Sequence, residues 1–461
     1  MAGAQEVEVG SAPIDRFRPL IDGELWATLQ REMAGLKAAT RGRVIWNVNS
    51  TARGGGVAEL LASLIPYSHG AGIDERWVVI DGSPEFFQAT KKIHLLLHGV
   101  PAEGDLTEAD ERHYEDATSH NAEALVELIR PGDVAILHDP QTAGLISALS
   151  QRGVHVIWRS HIGVDVPNET VHSAWRFLEP YLTTAEAYVF SRRAYVWEGL
   201  DPSRVSIIPP SIDPFTTKNR DLSSDEVRGI LHAAGLVQFA GASDHVSRTA
   251  QLIGAMPPDN ARLVVQVSRW DPLKDPVGVL EAFAAHIAPA SDAWLVLAGP
   301  AVTSVTDDPE QPEILRDLTQ RREQLTDTIR DRVVMAQLPM EDIDENALMV
   351  NALQRRADVV VQKSLAEGFG LTVAEAMWKG RPVVASRVGG IEDQIEDGKS
   401  GVLIDNPRDL AAFGAAVVGL LRDPERAHRL GEEARRRVGR DFISPCHLIE
   451  QAQLIRGLLA K

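Results

Sequence analysis

Glu367 and Glu375 stand eight positions apart, on either side of the stretch Gly368-Phe369-Gly370-Leu371-Thr372. Asp358-Val359-Val360-Val361 reads as a buried parallel strand and Thr372 to Lys379 as a helix, which puts Glu367 on the loop between them and Glu375 on the helix. The N–H groups of Phe369, Gly370 and Leu371 then lack partners inside the helix and point toward an electron-rich ligand, as at other helix N-termini. Both carboxylates act as acceptors here, Glu367 toward sugar hydroxyls and Glu375 toward a ribose diol. Such a pair suits a sugar joined to a nucleotide.

Two cations offer the complementary chemistry. Ser268-Arg269-Trp270-Asp271-Pro272-Leu273-Lys274-Asp275-Pro276 follows the apolar run Leu263–Val267 directly, so it reads as a loop at a strand's carboxyl end. Arg269 presents a planar fork and Lys274 a compact charge, which together neutralise a diphosphate and stabilise it as it leaves. The plainer alternative is that they pair with Asp271 and Asp275 on the surface, where such pairs contribute little.

Gly54-Gly55-Gly56 lies between the strand Val44–Val48 and the apolar-patterned Val57–Ile65. It allows close backbone approach to an anion at a helix N-terminus, or else forms only a tight connecting turn. It has neither the dinucleotide spacing nor the Gly-Lys-Ser/Thr of a P-loop. His138-Asp139-Pro140-Gln141 and Trp158-Arg159-Ser160-His161 end two further strands. There His161 reads as a partner for a sugar hydroxyl, Asp139 as the holder of an acceptor hydroxyl, and Arg159 as orienting either. His94 and His98 share a helix face without an apparent third ligand, so no metal site is expected. No nucleophile signature stands out.

These groups must be positioned by something, and the remaining pattern says what. Apolar runs at Val44–Val48, Trp77–Ile80, Val134–Leu137, Val154–Trp158, Ala187–Phe190 and Val205–Ile208 are each separated by enough chain for a crossover helix, as in a doubly wound parallel sheet. A second series follows at Leu263–Val267, Trp294–Ala298, Val333–Ala336, Val359–Val361, Val383–Ala385 and Val402–Ile404, with helical stretches such as Gly278–His286 between. A helix over residues 24–39 precedes the first strand. Three prolines within Pro209-Pro210-Ser211-Ile212-Asp213-Pro214 mark a stiff join, and residues 219–260 carry no clear pattern. The expected organisation is an α/β chain with an N-terminal Rossmann-like domain over 1–212, completed by a C-terminal helix over 445–461, and a second over 213–444. The two are expected to face each other across a cleft at their strands' carboxyl ends.

Composition narrows the partners. With 47 basic against 65 acidic residues the net charge is −18, which argues against nucleic acid and anionic membrane surfaces and requires a local positive pocket for an anionic substrate. One cysteine, Cys446, excludes an intrachain disulfide and fits a reducing compartment. The N-terminus lacks a basic start followed by an apolar run, so a cytoplasmic protein is expected.

Arg269 and Lys274 followed by Glu367…Glu375 around Gly-Phe-Gly-Leu-Thr resemble the retaining glycosyltransferases of family 4, which have the two-domain B-type (GT-B) fold. Within that family, Asn47-Val48-Asn49-Ser50-Thr51 with Gly54–Glu59, Phe86-Phe87 with Thr90-Lys91-Lys92, His138–Gln141, Trp158–His161 and Pro209–Pro214 are similar to the trehalose synthase branch. The resemblance implies transfer of glucose from a nucleoside-diphosphate glucose to glucose. By that analogy Arg269 and Lys274 hold the diphosphate, Glu375 the ribose, and Glu367 with the Gly368–Leu371 backbone the donor sugar. His161 would meet the donor's hydroxymethyl region, and the loop near Gln337 and Leu338 the base. Gly54, Gly55 and Gly56 fall on the donor side, and Asn49, His138, Asp139, Gln141 and Arg159 on the acceptor side. Leu95, Thr142 and Gly163 depart from the branch's asparagine, proline and aspartate, which bears on acceptor identity. No acidic motif demands a cofactor; Mg2+ would enter with the nucleotide. A homodimer is left open, as is the base. A phosphorylase on the same scaffold, a different acceptor and a non-catalytic nucleotide-sugar sensor are the competing readings.

Overall fold

A computed structural model of the chain describes residues 4–52, 55–101, 104, 106–239, 246–302 and 311–460. The chain divides into two compact units, one built from Met1–Ser211 with Phe442–Lys461 and the other from Ile212–Asp441.

The first unit's sheet comprises β1 (Gln5–Val7), β2 (Ile45–Asn49), β3 (Glu75–Val79), β4 (Val134–His138), β5 (His155–Ser160), β6 (Ala187–Phe190) and β7 (Val205–Ile207), in the order β1-β3-β2-β4-β5-β6-β7. All pairings are parallel except that of β1 with β3. The second unit's sheet comprises β8 (Gln251–Ile253), β9 (Leu263–Val267), β10 (Trp294–Pro300), β11 (Val333–Leu338), β12 (Val359–Gln362), β13 (Val383–Ser386) and β14 (Val402–Ile404), in the order β14-β13-β12-β9-β10-β11-β8. Here β8 alone is antiparallel, against β11. Every strand expected from the apolar runs is present, because strands covered by helices on both faces are buried and mainly apolar, as in β9, where Gln266 is the single polar residue. The antiparallel edges β1 and β8 were not expected, being three residues each and largely exposed.

Both sheets reverse direction. After β2 the chain adds β3 on one side and then β4 on the other; after β9 it adds β10 and β11 on one side and then β12 on the other. The carboxyl ends of β2 and β4, and of β9 and β12, therefore diverge at a switch point, the place where open α/β sheets leave room for ligands.

The helix Gly23–Ala39 is capped by Asp22, whose carboxylate accepts the Leu25 N–H at 2.8 Å. Against it packs the helix Ser444–Leu459, with Arg456 paired to Glu32. The unpatterned 219–260 segment holds the helix Ser223-capped Ser224–Ala233 and β8. The stretch expected as one helix over Gly278–His286 is an α-helix over Pro276–Ala282 that continues as a π-helical turn over Phe283–Ile287. Among the described residues, no helix is long and apolar enough to cross a membrane.

Ile455 is fully buried on the last helix, so Ile455→Ala should lower stability by about 2 to 5 kcal/mol. The exposed neighbour Gln453 should tolerate alanine within about 0.5 kcal/mol. Urea midpoints of the two variants that coincide would refute the packing role of this helix.

Candidate active site

The second unit brings its cations and carboxylates together at the β9/β12 switch point. The loop after β9 turns through Pro272–Lys274, and the loop after β12 leads into the helix Leu371–Trp378. Leu365 N–H donates to the Leu273 carbonyl at 2.7 Å, which fixes one loop against the other, and Gln266 Nε2 on β9 donates to the Lys274 carbonyl at 3.0 Å, which holds the first loop to its own strand. Lys274 Nζ then lies 2.6 Å from both oxygens of Glu367, and Ser364 Oγ donates to Glu367 at 3.2 Å. The side chains are only 18% and 9% exposed, so the two charges satisfy each other in a poorly solvated place.

This differs from separate roles for Lys274 and Glu367, and also from the plainer pairing of Lys274 with Asp275. Asp275 instead pairs with the fully buried Lys363, a residue that the sequence reading missed. Asp275 adopts φ +47° and caps the next helix through the Gly278 N–H at 3.0 Å. Gly278 is required there, since a Cβ would run into the Asp275 carboxylate and come within 2.7 Å of Lys363 Nζ. Two ion pairs therefore cross between the same two loops. Arg269 does take the plainer partner, Asp271, at 3.2 Å, with its side chain 60% exposed.

At the other end of the turn, Gly370 takes φ +84° as the cap of the helix that starts at Leu371. Glu375, on that helix, is buried; Lys218 approaches its Oε1 at 3.6 Å, and Oε2 has no hydrogen-bond partner among the described residues. An orphaned buried carboxylate oxygen is an acceptor awaiting a donor. Beside it Lys379 donates to the Asn219 side chain and the Glu375 carbonyl, both at 3.2 Å. Gln337 and Leu338, expected on a loop, are instead the last residues of β11 and pair with Gly299 and Pro300. The Leu338 side chain is buried, and its carbonyl accepts the Ala301 N–H at 2.9 Å, so only Gln337 keeps a half-buried polar side chain.

In the first unit the polar groups gather at the carboxyl ends of β2, β4 and β5. His138 lies between Asn47 and His161, with ring nitrogens 3.0 Å from Asn47 Oδ1 and 3.0 Å from His161 Nε2. Burial holds both imidazoles well below the usual histidine range, and the nearby Arg159 guanidinium adds to the effect. Asp139, in the left-handed region at φ +64°, accepts the His161 N–H at 2.7 Å. Burial pushes its carboxyl up to about 7, against the opposing effects of that N–H and of Arg159.

Several residues expected on the acceptor side face inward. Arg159 is buried, with its guanidinium committed to His447 Nε2 at 2.8 Å and to the Ile208 carbonyl at 3.2 Å. Asn49 is buried too, accepting from Trp77 Nε1 at 2.7 Å and donating to the Thr51 carbonyl at 2.7 Å. Both support the site from behind. Gln141 is half-buried on the turn Pro140–Leu145. Gly55, at φ +85°, caps the helix Gly56–Ala71, while Gly54 lies outside the described residues. Among the departures noted above, Gly163 lies under Tyr195, where an added Cβ would strike the ring. Among the described residues, no group of three or more His, Cys, Asp or Glu is placed to hold a metal ion.

Residues 47–197 match the family described as "Trehalose synthase, N-terminal domain", and residues 254–437 the family "Glycosyl transferases group 1". The chain is 36% identical over 458 residues to the trehalose synthase of Rubrobacter xylanophilus, covering 99% of both. The chain belongs to the trehalose synthase family of glycosyltransferases. A trehalose phosphorylase of Grifola frondosa is 28% identical over 418 residues, covering 85% of this chain but 54% of that protein. The crystal structure of an α,α-trehalose-phosphate synthase (UDP-forming) from Burkholderia vietnamiensis superimposes with a TM-score of 0.65 at 14% identity, covering 91% of this chain and 99% of that one, which shows a common GT-B fold.

Two tests follow for this member of the trehalose synthase family. Gly278→Ala should break the Asp275–Lys363 pair, shift the Lys274 loop and cut kcat/KM by about a hundredfold while the protein stays folded; unchanged kinetics would show that the second pair positions nothing. Burial lowers Lys379 from 10.5 to about 7, with the Glu375 charge opposing and Arg355 and Lys218 reinforcing. Between those values the unfolded chain holds the proton and the folded one does not, so stability should rise with pH from about 7 to about 10. Urea midpoints should show that rise in the native chain and lose it in Lys379→Met; parallel profiles would contradict the assignment.

Proposed function

We propose that the chain transfers glucose from a nucleoside-diphosphate glucose to free glucose, with retention at the anomeric carbon, giving trehalose and the nucleoside diphosphate. The observation that carries this reading is the Lys274–Glu367 pair at the switch point, with Arg269 exposed beside it. A diphosphate competes with Glu367 for the lysine and draws on the Arg269 fork, while sugar hydroxyls donate to the carboxylate released. Glu375 Oε2, buried and without a partner among the described residues, suits the ribose diol. The N–H groups at the start of the helix Leu371–Trp378 suit the donor's oxygens. His161 takes the donor's hydroxymethyl group.

In the proposed step the bond from the anomeric carbon to phosphate oxygen breaks as a bond forms to the acceptor's hydroxyl oxygen on the same face. The departing phosphate oxygen takes the hydroxyl proton. Lys274 and Arg269 stabilise the negative charge that develops on that phosphate. This route needs no cofactor, and Mg2+ would accompany the nucleotide's own phosphates.

The partial match to a trehalose phosphorylase favours one alternative, in which the same cations hold inorganic phosphate. Incubating the chain with glucose and each glucose donor, and separately with trehalose and phosphate, distinguishes them. The proposed reaction releases nucleoside diphosphate and an α,α-linked disaccharide; glucose phosphate formed without nucleotide supports the alternative. Lys274→Ala, Glu367→Ala and Arg269→Ala should each lower transfer by about a hundredfold or more, and near-normal turnover in all three would defeat the reading.

A further inference from the structure

A neutral imidazole carries one N–H and one bare nitrogen, so the group bound to one nitrogen decides what the other can do. In the first unit that decision can be followed back from His161 through three buried residues. It starts at Glu75, the first residue of β3, which is 2% exposed. Its Oε1 accepts from Asn47 Nδ2 at 2.7 Å and from Gln451 Nε2, on the helix Ser444–Leu459, at 3.0 Å.

A carboxylate only accepts. Asn47 must therefore turn its amide nitrogen to Glu75 and its carbonyl oxygen the other way, toward His138 Nε2 at 3.0 Å. A carbonyl oxygen also only accepts, so His138 carries its proton on Nε2. Its Nδ1 is then bare and accepts a hydrogen bond from His161 Nε2–H, 3.0 Å away, the two ring planes lying within 17° of each other. His161 is left with a bare Nδ1, which no hydrogen bond occupies among the described residues. Its backbone is pinned independently by Asp139.

We propose that Glu75, Asn47 and His138 are positioning residues that lock His161 as the Nε2–H tautomer, so that its Nδ1 accepts a hydrogen bond from a donor-sugar hydroxyl. The hydroxyl's identity rests on the reading under Proposed function; the tautomer does not. A locked acceptor selects a substrate group that can donate and turns away one that cannot. The chain of bonds also holds the lone pair in place at no cost when substrate arrives, since the imidazole needs no rotation or proton transfer.

The test uses the full chain with 15N-labelled histidine rings, assigned by His138→Asn and His161→Asn. Long-range 1H–15N correlations should show both rings protonated at Nε2 and bare at Nδ1. Glu75→Gln is nearly isosteric, yet its side chain can donate as well as accept. Asn47 is then released to turn over, and His161 should gain a population protonated at Nδ1. With a glucosyl donor, kcat/KM should fall about tenfold in that variant. With the 6-deoxyglucosyl donor the variant and the native chain should perform alike, because no hydroxyl remains to be accepted. A native His161 protonated at Nδ1, or a Glu75→Gln variant with unaltered tautomers, overturns the proposal. A penalty that persists with the 6-deoxy donor overturns the hydroxyl contact. Failure of the native chain to transfer glucose from any nucleotide donor overturns the functional reading instead, and leaves the nitrogen spectra to decide the tautomer.

Discussion

Lys274 and Glu367 each bring a full charge to a layer with little water, and neither is tolerable there without the other. That mutual dependence organises the second unit's functional end. It explains why a backbone hydrogen bond ties the loops after β9 and β12, why a second buried pair, Asp275 with Lys363, crosses between the same loops, and why Gly278 has no Cβ. Under the proposed function the pair is also a latch. A diphosphate that takes the lysine frees the carboxylate for the sugar, so the two parts of one donor molecule each make the other's binding easier.

The fold was legible because its physics is local. Strands covered on both faces are mainly apolar, and β9 and β12 announce themselves by runs of valine and leucine that each hold one glutamine. Edge strands β1 and β8 escaped because three residues, none of them fully buried, carry no period. Residue types at the site were legible as well, since a loop holding Arg269 and Lys274 after a buried strand is unusual on a chain with an acidic balance. Their partners were not. Lys274 and Glu367 are 93 positions apart, and nothing in either loop alone says that they neutralise each other. Lys363 could have been suspected, as a lysine directly following the fully buried Val359–Gln362. Arg159 ends up behind the site because its guanidinium meets His447, 288 positions away, a partner no local pattern reveals.

The first unit solves a different problem. Its polar groups carry little net charge and do their work through direction: a carboxylate that can only accept, an amide with two unlike ends, and two neutral rings whose protons fall into line. Asp139 supports the line from the side by holding the His161 backbone, and its left-handed conformation is the local strain that places it there. Charge neutralisation in one unit and proton orientation in the other are two different ways of preparing buried polar groups.

The helix Ser444–Leu459 supplies both His447 to Arg159 and Gln451 to Glu75, although it is separated from them by the entire second unit. During synthesis these two buried groups wait, without those partners, until the whole second unit has been made. A chain interrupted between the second unit and this helix would thus leave Arg159 with the Ile208 carbonyl but without His447, and Glu75 with Asn47 but without Gln451, a product that quality control could recognise.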